Sequence, residues 1–436
     1  MANNLYRIRQ SAMENLTFSG LLMVVHKNEF KKFIPMCLLK FFILFNYSCI
    51  HTIKESLVIP NLGAETACFI EVWIILPAVF IFTFTYLKLS IVIPSKEKLF
   101  YLTCGSFLIF FLVFAFILYP NIDYFRFSKP TFEALIAKLP HLKRFIIIFY
   151  NWPIALFNIF SELWINSMLS LLFWQYANSI ITSEQAKRFY PIFGIIGNFS
   201  LISSGIFLRQ ICISCSDEVS SITWITILIM LVGLFCMAIF RYLSIANSPK
   251  NLFKSSENTY QNKPKLSFKE SLVLVFSSRY LWLMAVSVVA YGIAIALSQG
   301  LWKAQAMKLY PTTEQYILFM ADYQKWAGII SIIMMFVGSI VVRKLSWLAS
   351  AVIAPLVMLA TGSIFFIWIS LNKFIIQIIS ENTYLIFSVL IGTLHIIWAK
   401  SAKYSLSDTT KELAYIPLEE NLRDKGKAAV DCLGNA

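Results

Sequence analysis

The sequence predicts an all-α polytopic membrane protein of about ten spans. Three observations carry that prediction. Of 436 residues, 58% are hydrophobic and only 14% are charged, whereas soluble domains run about 45–50% apolar and about 25% charged. Mean hydropathy is +0.70. The apolar excess is bulky, with 39 Phe and 11 Trp, and it falls in runs of roughly 20 residues, the length that crosses a bilayer as a helix. The same figures exclude a soluble enzyme, a disordered chain and a disulfide scaffold.

Residues 1–32 read as a cytoplasmic or interfacial segment. Arg7 and Arg9 are mixed with Glu14, which suits neither a signal peptide nor a transit peptide. Leu21–Val25 is too short to span and reads as an amphipathic stretch at the interface. Ten hydrophobic segments follow, at 33–53, 69–92, 99–119, 145–177, 191–210, 222–242, 280–301, 324–342, 346–370 and 383–400. The fourth is too long for one span. Pro153 is expected to kink it, or to divide an interfacial arm from the membrane portion.

Basic residues set the sidedness. The net charge is +14. With the N-terminus inside, Lys27, Lys31 and Lys32, then Lys88, Lys96 and Lys98, then Lys187 and Arg188, then Arg343 and Lys344 all fall on inner connections. So do Lys250, Lys254, Lys263, Lys265 and Lys269 of the longest one. Outer loops are poorer in charge, apart from the long and mixed 120–144. Excess Lys and Arg on one side places that side in the cytoplasm.

The connection 243–279 is polar and basic, with Ser255, Ser256, Glu257, Asn258 and Pro264, and reads as a linker. It divides a six-span half (33–242) from a second half of four spans (280–400), and a tail follows at 401–436. Six spans, a basic cytoplasmic linker and a second half is the layout of major-facilitator-type carriers. On that layout the second half is two spans short.

Ionisable groups inside a bilayer cost at least about 2.5–3.5 kcal/mol at a helix centre, so they face protein or a water-filled path. Glu162 is the clearest, set in Phe157–Trp164 with Asn158, Ser161 and Asn166 nearby. Lys54 follows the first span without a break and lies in the membrane's outer third if that helix reaches Ile59. Glu55 is adjacent but points about 100° away on a helix, so the two need not pair. Lys303 ends the seventh span, and Lys325 opens the eighth beside Asp322 and Gln324. Each alone reads as an interfacial anchor; with Lys54 they place basic groups on one side of the bundle. Lys40 lies within the first span and is long enough to snorkel inward.

Lysines along a path, with a carboxylate, suit a polyanion, because phosphate oxygens accept strong charge-assisted hydrogen bonds from ammonium donors. No phosphate-hydrolysing motif occurs: there is no Walker G-x-x-x-x-G-K-[ST], no H-E-x-x-H and no G-x-S-x-G, and Gly426-Lys427 lacks the upstream Gly. A gradient- or exchange-driven carrier is favoured over a pump. An integral membrane enzyme needs clustered groups, and His26, His51, His141 and His395 are scattered. His395, on an apolar helix, reads as a packed core residue. Of the eight cysteines, Cys37, Cys49, Cys104 and Cys236 lie in spans and read as small apolar fillers. Cys212 and Cys215 form a lone Cys-x-x-Cys without the second pair that zinc needs. No cofactor and no metal is expected, and neither is a nucleic acid or an obligate protein partner.

Several strings have no generic membrane-helix explanation. They are Asn46-Tyr47-Ser48 with IKESLV at 53–58, SELW at 161–164, SLLFWQYAN at 170–178, EQAKRFYPIFGIIGN at 184–198, LWKAQAMKLYP at 301–311, KYSLSDTTKELAYIPL at 403–418 and RDKGKAAVD at 423–431. On these the chain resembles the ATP/ADP translocases, the nucleotide transporters of obligate intracellular bacteria and plastids. It is similar to their rickettsial branch, from about residue 30 to 431. The resemblance implies a twelve-helix, major-facilitator-like bundle with about ten spans present, in a bacterial inner membrane, N-terminus in the cytoplasm. It implies exchange of host ATP for bacterial ADP. The family's lysine at the end of the first helix lands on Lys54, and its fourth-helix glutamate lands on Glu162. Its seventh-helix glutamate lands on Gln299, a departure that keeps hydrogen bonding and loses the negative charge. A further family lysine belongs to an eleventh helix, which would begin where the chain stops. The substrate-binding residues expected are therefore Lys54, Glu162 and Gln299, with Lys303 added from its position alone. Two alternatives accompany this expectation: a truncated, transport-inactive paralogue, and an exchanger of other nucleotides.

Overall fold

A computed structural model describes residues 29–93, 95–215, 217–246 and 278–415. The N-terminal stretch with Leu21–Val25, most of the linker 243–279 and the tail from 416 lie outside the described residues. Among the described residues every regular element is helical. Nine helices are long and apolar enough to cross a membrane, or ten when one bent pair counts as a span. They are α1 (Phe30–Leu62), α2 (Ala64–Val92), α3 (Glu97–Leu118), α4 (the bent pair), α5 (Ser183–Ser214), α6 (Glu218–Ala246), α7 (Arg279–Leu309), α8 (Thr313–Lys344), α9 (Trp347–Ser370) and α10 (Glu381–Ala402).

Local chemistry sets the helix ends. Ser95, Thr182, Ser346 and Ser380 each accept a backbone N–H of the following first turn, satisfying donors that a helix start otherwise leaves open. Thr182 also forms a reciprocal capping box with Gln185. At the other end of α1, Gly63 turns the chain with φ +85°, a conformation that a Cβ disfavours. The fourth segment divides as Pro153 led one to expect. Its arms Pro140–Tyr150 and Trp152–Leu169 meet at 77°. Pro153 sits in the first turn of the second arm, where its missing N–H has no intrahelical partner to lose. A π-helical stretch, Asn166–Phe173, then leads into Trp174–Ile180.

Several helices outrun the apolar segments that predicted them. α1 continues nine residues past residue 53, so Lys54 is an interior helical residue. α7 runs on to Leu309, and Lys303 does not end it. α8 starts at Thr313, so Lys325 lies well inside it instead of opening it. α10 continues through Lys403–Ser407 to Ala414, beyond residue 400. Polar residues dilute the hydropathy at these ends, yet hydrogen bonding along the helix does not stop there.

The described residues group into two compact units. The first takes in the described residues of 29–246 and 306–329; the second takes in 278–305 and 330–415. In the first unit α1 is central, with α4, α5 and α6 packed along it. Its most apolar window is 56% buried, against 17% for α2. α2 instead turns Trp73, Phe80, Ile81 and Phe84 outward, a surface that needs hydrocarbon as its solvent. Phenylalanines fill the interior, with Phe100 stacked on Phe240 at 4.1 Å and Phe110 on Phe160 at 3.8 Å. The tip formed by the end of α7 and the start of α8 belongs to this unit. Glycines let α8 approach α5 closely: a Cβ on Gly205 would stand 2.5 Å from the Ala321 carbonyl oxygen, and one on Gly328 2.7 Å from Ile202.

In the second unit α9 packs along α10. The Tyr291 hydroxyl donates to the Ala399 carbonyl at 3.0 Å, and the Trp302 indole to Thr393 Oγ1 at 3.0 Å. Gly392 makes room for Trp302, since a Cβ there would lie 2.6 Å from its ring. His395 is buried, with Nδ1 2.8 Å from Thr361 Oγ1, which is a packed core position.

Candidate functional site

The polar content of α1 is concentrated on its buried surface. Asn46, Ser48, Thr52, Lys54, Glu55 and Ser56 are all buried, which burial in hydrocarbon penalises unless each finds a partner. Asn46 Nδ2 donates to the Ile229 carbonyl of α6 at 3.0 Å. Ser204 of α5 donates to Ser48 Oγ at 2.6 Å, Ser48 donates to Gln324 Oε1, and Gln324 Nε2 returns to the Ser48 carbonyl at 3.2 Å. This closed network fixes the rotation of α1 against α5 and α8, and so aims the next turn.

The next turn carries the ions. Lys54 Nζ stands 2.6 Å from Glu162 Oε1 of α4 and 3.1 Å from Glu55 Oε1. His51 Nε2 lies 3.7 Å from Glu55 Oε1. Lys54 and Glu55 side chains are 4% and 3% exposed, while Glu162 keeps 24%. Two carboxylates thus share one ammonium, and the carboxylate on α4 is the more exposed of the two. Glu55 pairs despite its 100° offset, because the long lysine stem reaches sideways to both acids.

Around the cluster some buried polar atoms have no hydrogen-bond partner among the described residues. They include Asn158 Oδ1, one turn before Glu162, and the Tyr316 hydroxyl of α8, which lies within electrostatic reach of Glu55. Such atoms, adjoining an ion pair, are what a polar ligand satisfies on binding. Tyr316, Gln324 and the pairing of Glu55 escape a reading of single spans. Their signal is only an interrupted row of small polar residues on α1.

The structure brings Lys54 and Glu162 together. It places Gln299 and Lys303 in the second unit, four residues apart and on one face of α7, both half-buried. Nearer the other end of α5, Arg209 pairs with Asp322, which also takes Lys325 Nζ at 3.0 Å. At the start of α5, Arg188 forks onto both oxygens of Glu29 at 2.9 and 2.7 Å, so the first residues of α1 are held there.

Chemically, such a cluster is suited to exchanging one anion for another. An ammonium desolvated between two carboxylates binds a phosphate oxygen when one carboxylate withdraws, and Glu162 is the one with room to do so. Parting Glu162 from Lys54 leaves the ammonium with Glu55 at 3.1 Å and costs about 1–3 kcal/mol, which an arriving anion would offset.

Residues 8–436 match the profile of the family described as TLC ATP/ADP transporter. The chain is 39% identical over 428 residues to ADP,ATP carrier protein 3 of Rickettsia conorii, covering 94% of this chain and 85% of that protein. It is 39% identical to the protein of that name from Rickettsia typhi, over 96% and 86%. To ADP,ATP carrier protein 1 of Rickettsia bellii it is 36% identical, over 94% and 84%. Among solved structures it shares a fold with a D-xylose-proton symporter, with a TM-score of 0.54, 12% identity, and cover of 93% and 87%. The fold is therefore an all-helical, major-facilitator-like bundle, as its span layout predicts.

Proposed function

Because the chain belongs to the TLC ATP/ADP transporter family, we propose that it exchanges ATP for ADP across the bacterial inner membrane by alternating access. It is a multi-pass membrane transporter and not an enzyme. Host ATP enters and bacterial ADP leaves, with the N-terminus in the cytoplasm. The observation that carries the site reading is the Lys54–Glu162 contact at 2.6 Å inside a spanning helix.

The phosphate chain takes the place of the Glu162 carboxylate on Lys54. Glu55 stays on the ammonium throughout, and the arriving anion restores the contact that Glu162 gives up. When substrate leaves, Glu162 returns. On α7, Gln299 and Lys303 offer an amide and an ammonium one turn apart, a pairing suited to a phosphate. An empty carrier re-forms its internal pair and stays put, while a loaded one is released to move; exchange follows from that difference. The differential affinity of substrate for the two states is what drives the shift.

The test is counter-exchange. Cells expressing the full chain and preloaded with unlabelled ADP take up labelled ATP faster than cells depleted of nucleotide. GTP and CTP serve as competitors. Absence of ATP or ADP uptake in cells with verified membrane insertion overturns the proposal.

A further inference from the structure

Lys40 sits ten residues into α1 and does not snorkel. It is 7% exposed. Its ammonium lies 4.5 Å from the ring centroid of Trp174, and 5.7 Å from those of Phe173 and Phe193. Among the described residues no carboxylate is within ion-pair distance of it and no oxygen accepts a hydrogen bond from it. Ring faces surround this charge, and the Cys37 thiol one turn back on α1 also interacts with it. A cation–π contact compensates an ammonium less fully than a hydrogen-bonded anion does.

The contrast with Lys54 decides what Lys40 is suited to. Lys54 is shared by two carboxylates, and a polyanion approaching it meets net negative charge until Glu162 withdraws. Among the described residues Lys40 has no ion pair to break, and ring faces compensate its charge only in part. Fourteen residues separate the two lysines, about 21 Å along the helix and about 40° apart around it. Tyr47 and His51, with rings 5.5 Å apart, lie on the same stripe between them. Trp174 is half-buried, and its ring also meets those of Tyr190 at 5.0 Å and Phe173 at 5.3 Å.

We propose that Lys40 and Trp174 form a second anion station, toward the end of α1 where that helix begins, at which the phosphates of a nucleotide pair with the ammonium and its base stacks on the indole. The part about the base rests on the nucleotide-carrier reading above; the part about phosphate does not. A substrate moving between Lys40 and Lys54 leaves a site held by ring faces for one held by carboxylates, and the first attracts it without any rearrangement of the second.

The experiment is calorimetric titration of the purified full chain with tripolyphosphate and with ATP. The unmutated chain is expected to bind both. Lys40→Gln should weaken tripolyphosphate by about tenfold or more, the size of one charge-assisted hydrogen bond, and Lys40→Arg should largely restore it. Trp174→Leu should weaken ATP while sparing tripolyphosphate, a split that a packing role does not produce. If Lys40→Gln does not elute as a single species, Lys40→Met, which keeps the apolar stem under the rings, carries the same expectation. Unchanged tripolyphosphate binding in the variant, or none in the unmutated chain, overturns the station. If tripolyphosphate binding depends on Lys40 yet the chain exchanges no nucleotide, the function proposed above falls and the anion station stands.

Discussion

Lys54 is the cation that both buried-cluster carboxylates of the first unit share. Removing it leaves Glu55 and Glu162 facing each other without their cation, whereas removing the charge of Glu162 leaves Lys54 with Glu55 at 3.1 Å. Lys54→Gln is therefore expected to destabilise by about 3–5 kcal/mol, and Glu162→Gln by about 1–3 kcal/mol, the cost of one unmade buried contact. The expected order of thermal midpoints in detergent is unmutated, then Glu162→Gln, then Lys54→Gln. The double variant should recover part of the loss, because like charges no longer confront an absent partner. Both single variants should abolish counter-exchange. If Glu162→Gln exchanges at the unmutated rate, anion replacement at this pair is not the working step. Gln299 adds a prediction of specificity. Restoring a carboxylate by Gln299→Glu, one turn from Lys303, should raise the apparent KM for ATP more than for ADP, since ATP brings one more negative charge; competition assays read the ratio.

At the scale of elements, close helix crossings depend on hydrogen in place of a side chain. Gly205 and Gly328 bring α5 and α8 together, and Gly392 seats the ring of Trp302. Gly205→Val is expected to cost about 1–3 kcal/mol or more, because the obstructing atom is a backbone carbonyl that cannot rotate aside. Gly105 is the control. Nothing lies within 4 Å of a Cβ built there, so Gly105→Ala should be neutral or should stabilise α3 by about 0.5–1 kcal/mol through lower chain entropy. Thermal midpoints of the two purified variants, measured side by side, check the pair. An equal fall in both would mean that general helix loosening, and not the α5–α8 contact, governs stability.

For the whole molecule the informative quantity is the uneven distribution of Lys and Arg between connections. With the first residues in the cytoplasm, a fluorescent protein fused at the N-terminus should fluoresce, and alkaline phosphatase fused within 120–144 should be active. The opposite pattern would overturn the cytoplasmic placement of the N-terminus. Outward-facing Trp73, Phe80, Ile81 and Phe84 on α2 place that helix against lipid. Charged substitutions there should reduce membrane insertion while similar changes in the loops do not.

The amino-acid sequence by itself determined the class of fold, the number of spans, the break near Pro153 and the short list of costly charges, because each follows from a local cost: of polar groups in oil, of proline inside a helix, of lysine far from water. Residue strings tied those charges to a family whose profile the chain matches. What only the tertiary structure decided is who compensates whom. That Glu55 joins Glu162 on Lys54, that Gln324 closes a ring of hydrogen bonds onto Ser48, and that Lys40 rests on aromatic faces instead of reaching for the membrane surface depend on atoms 100 or more positions apart along the chain. Electrostatic pairing acts over a few ångströms in space, and distance in sequence carries no record of it.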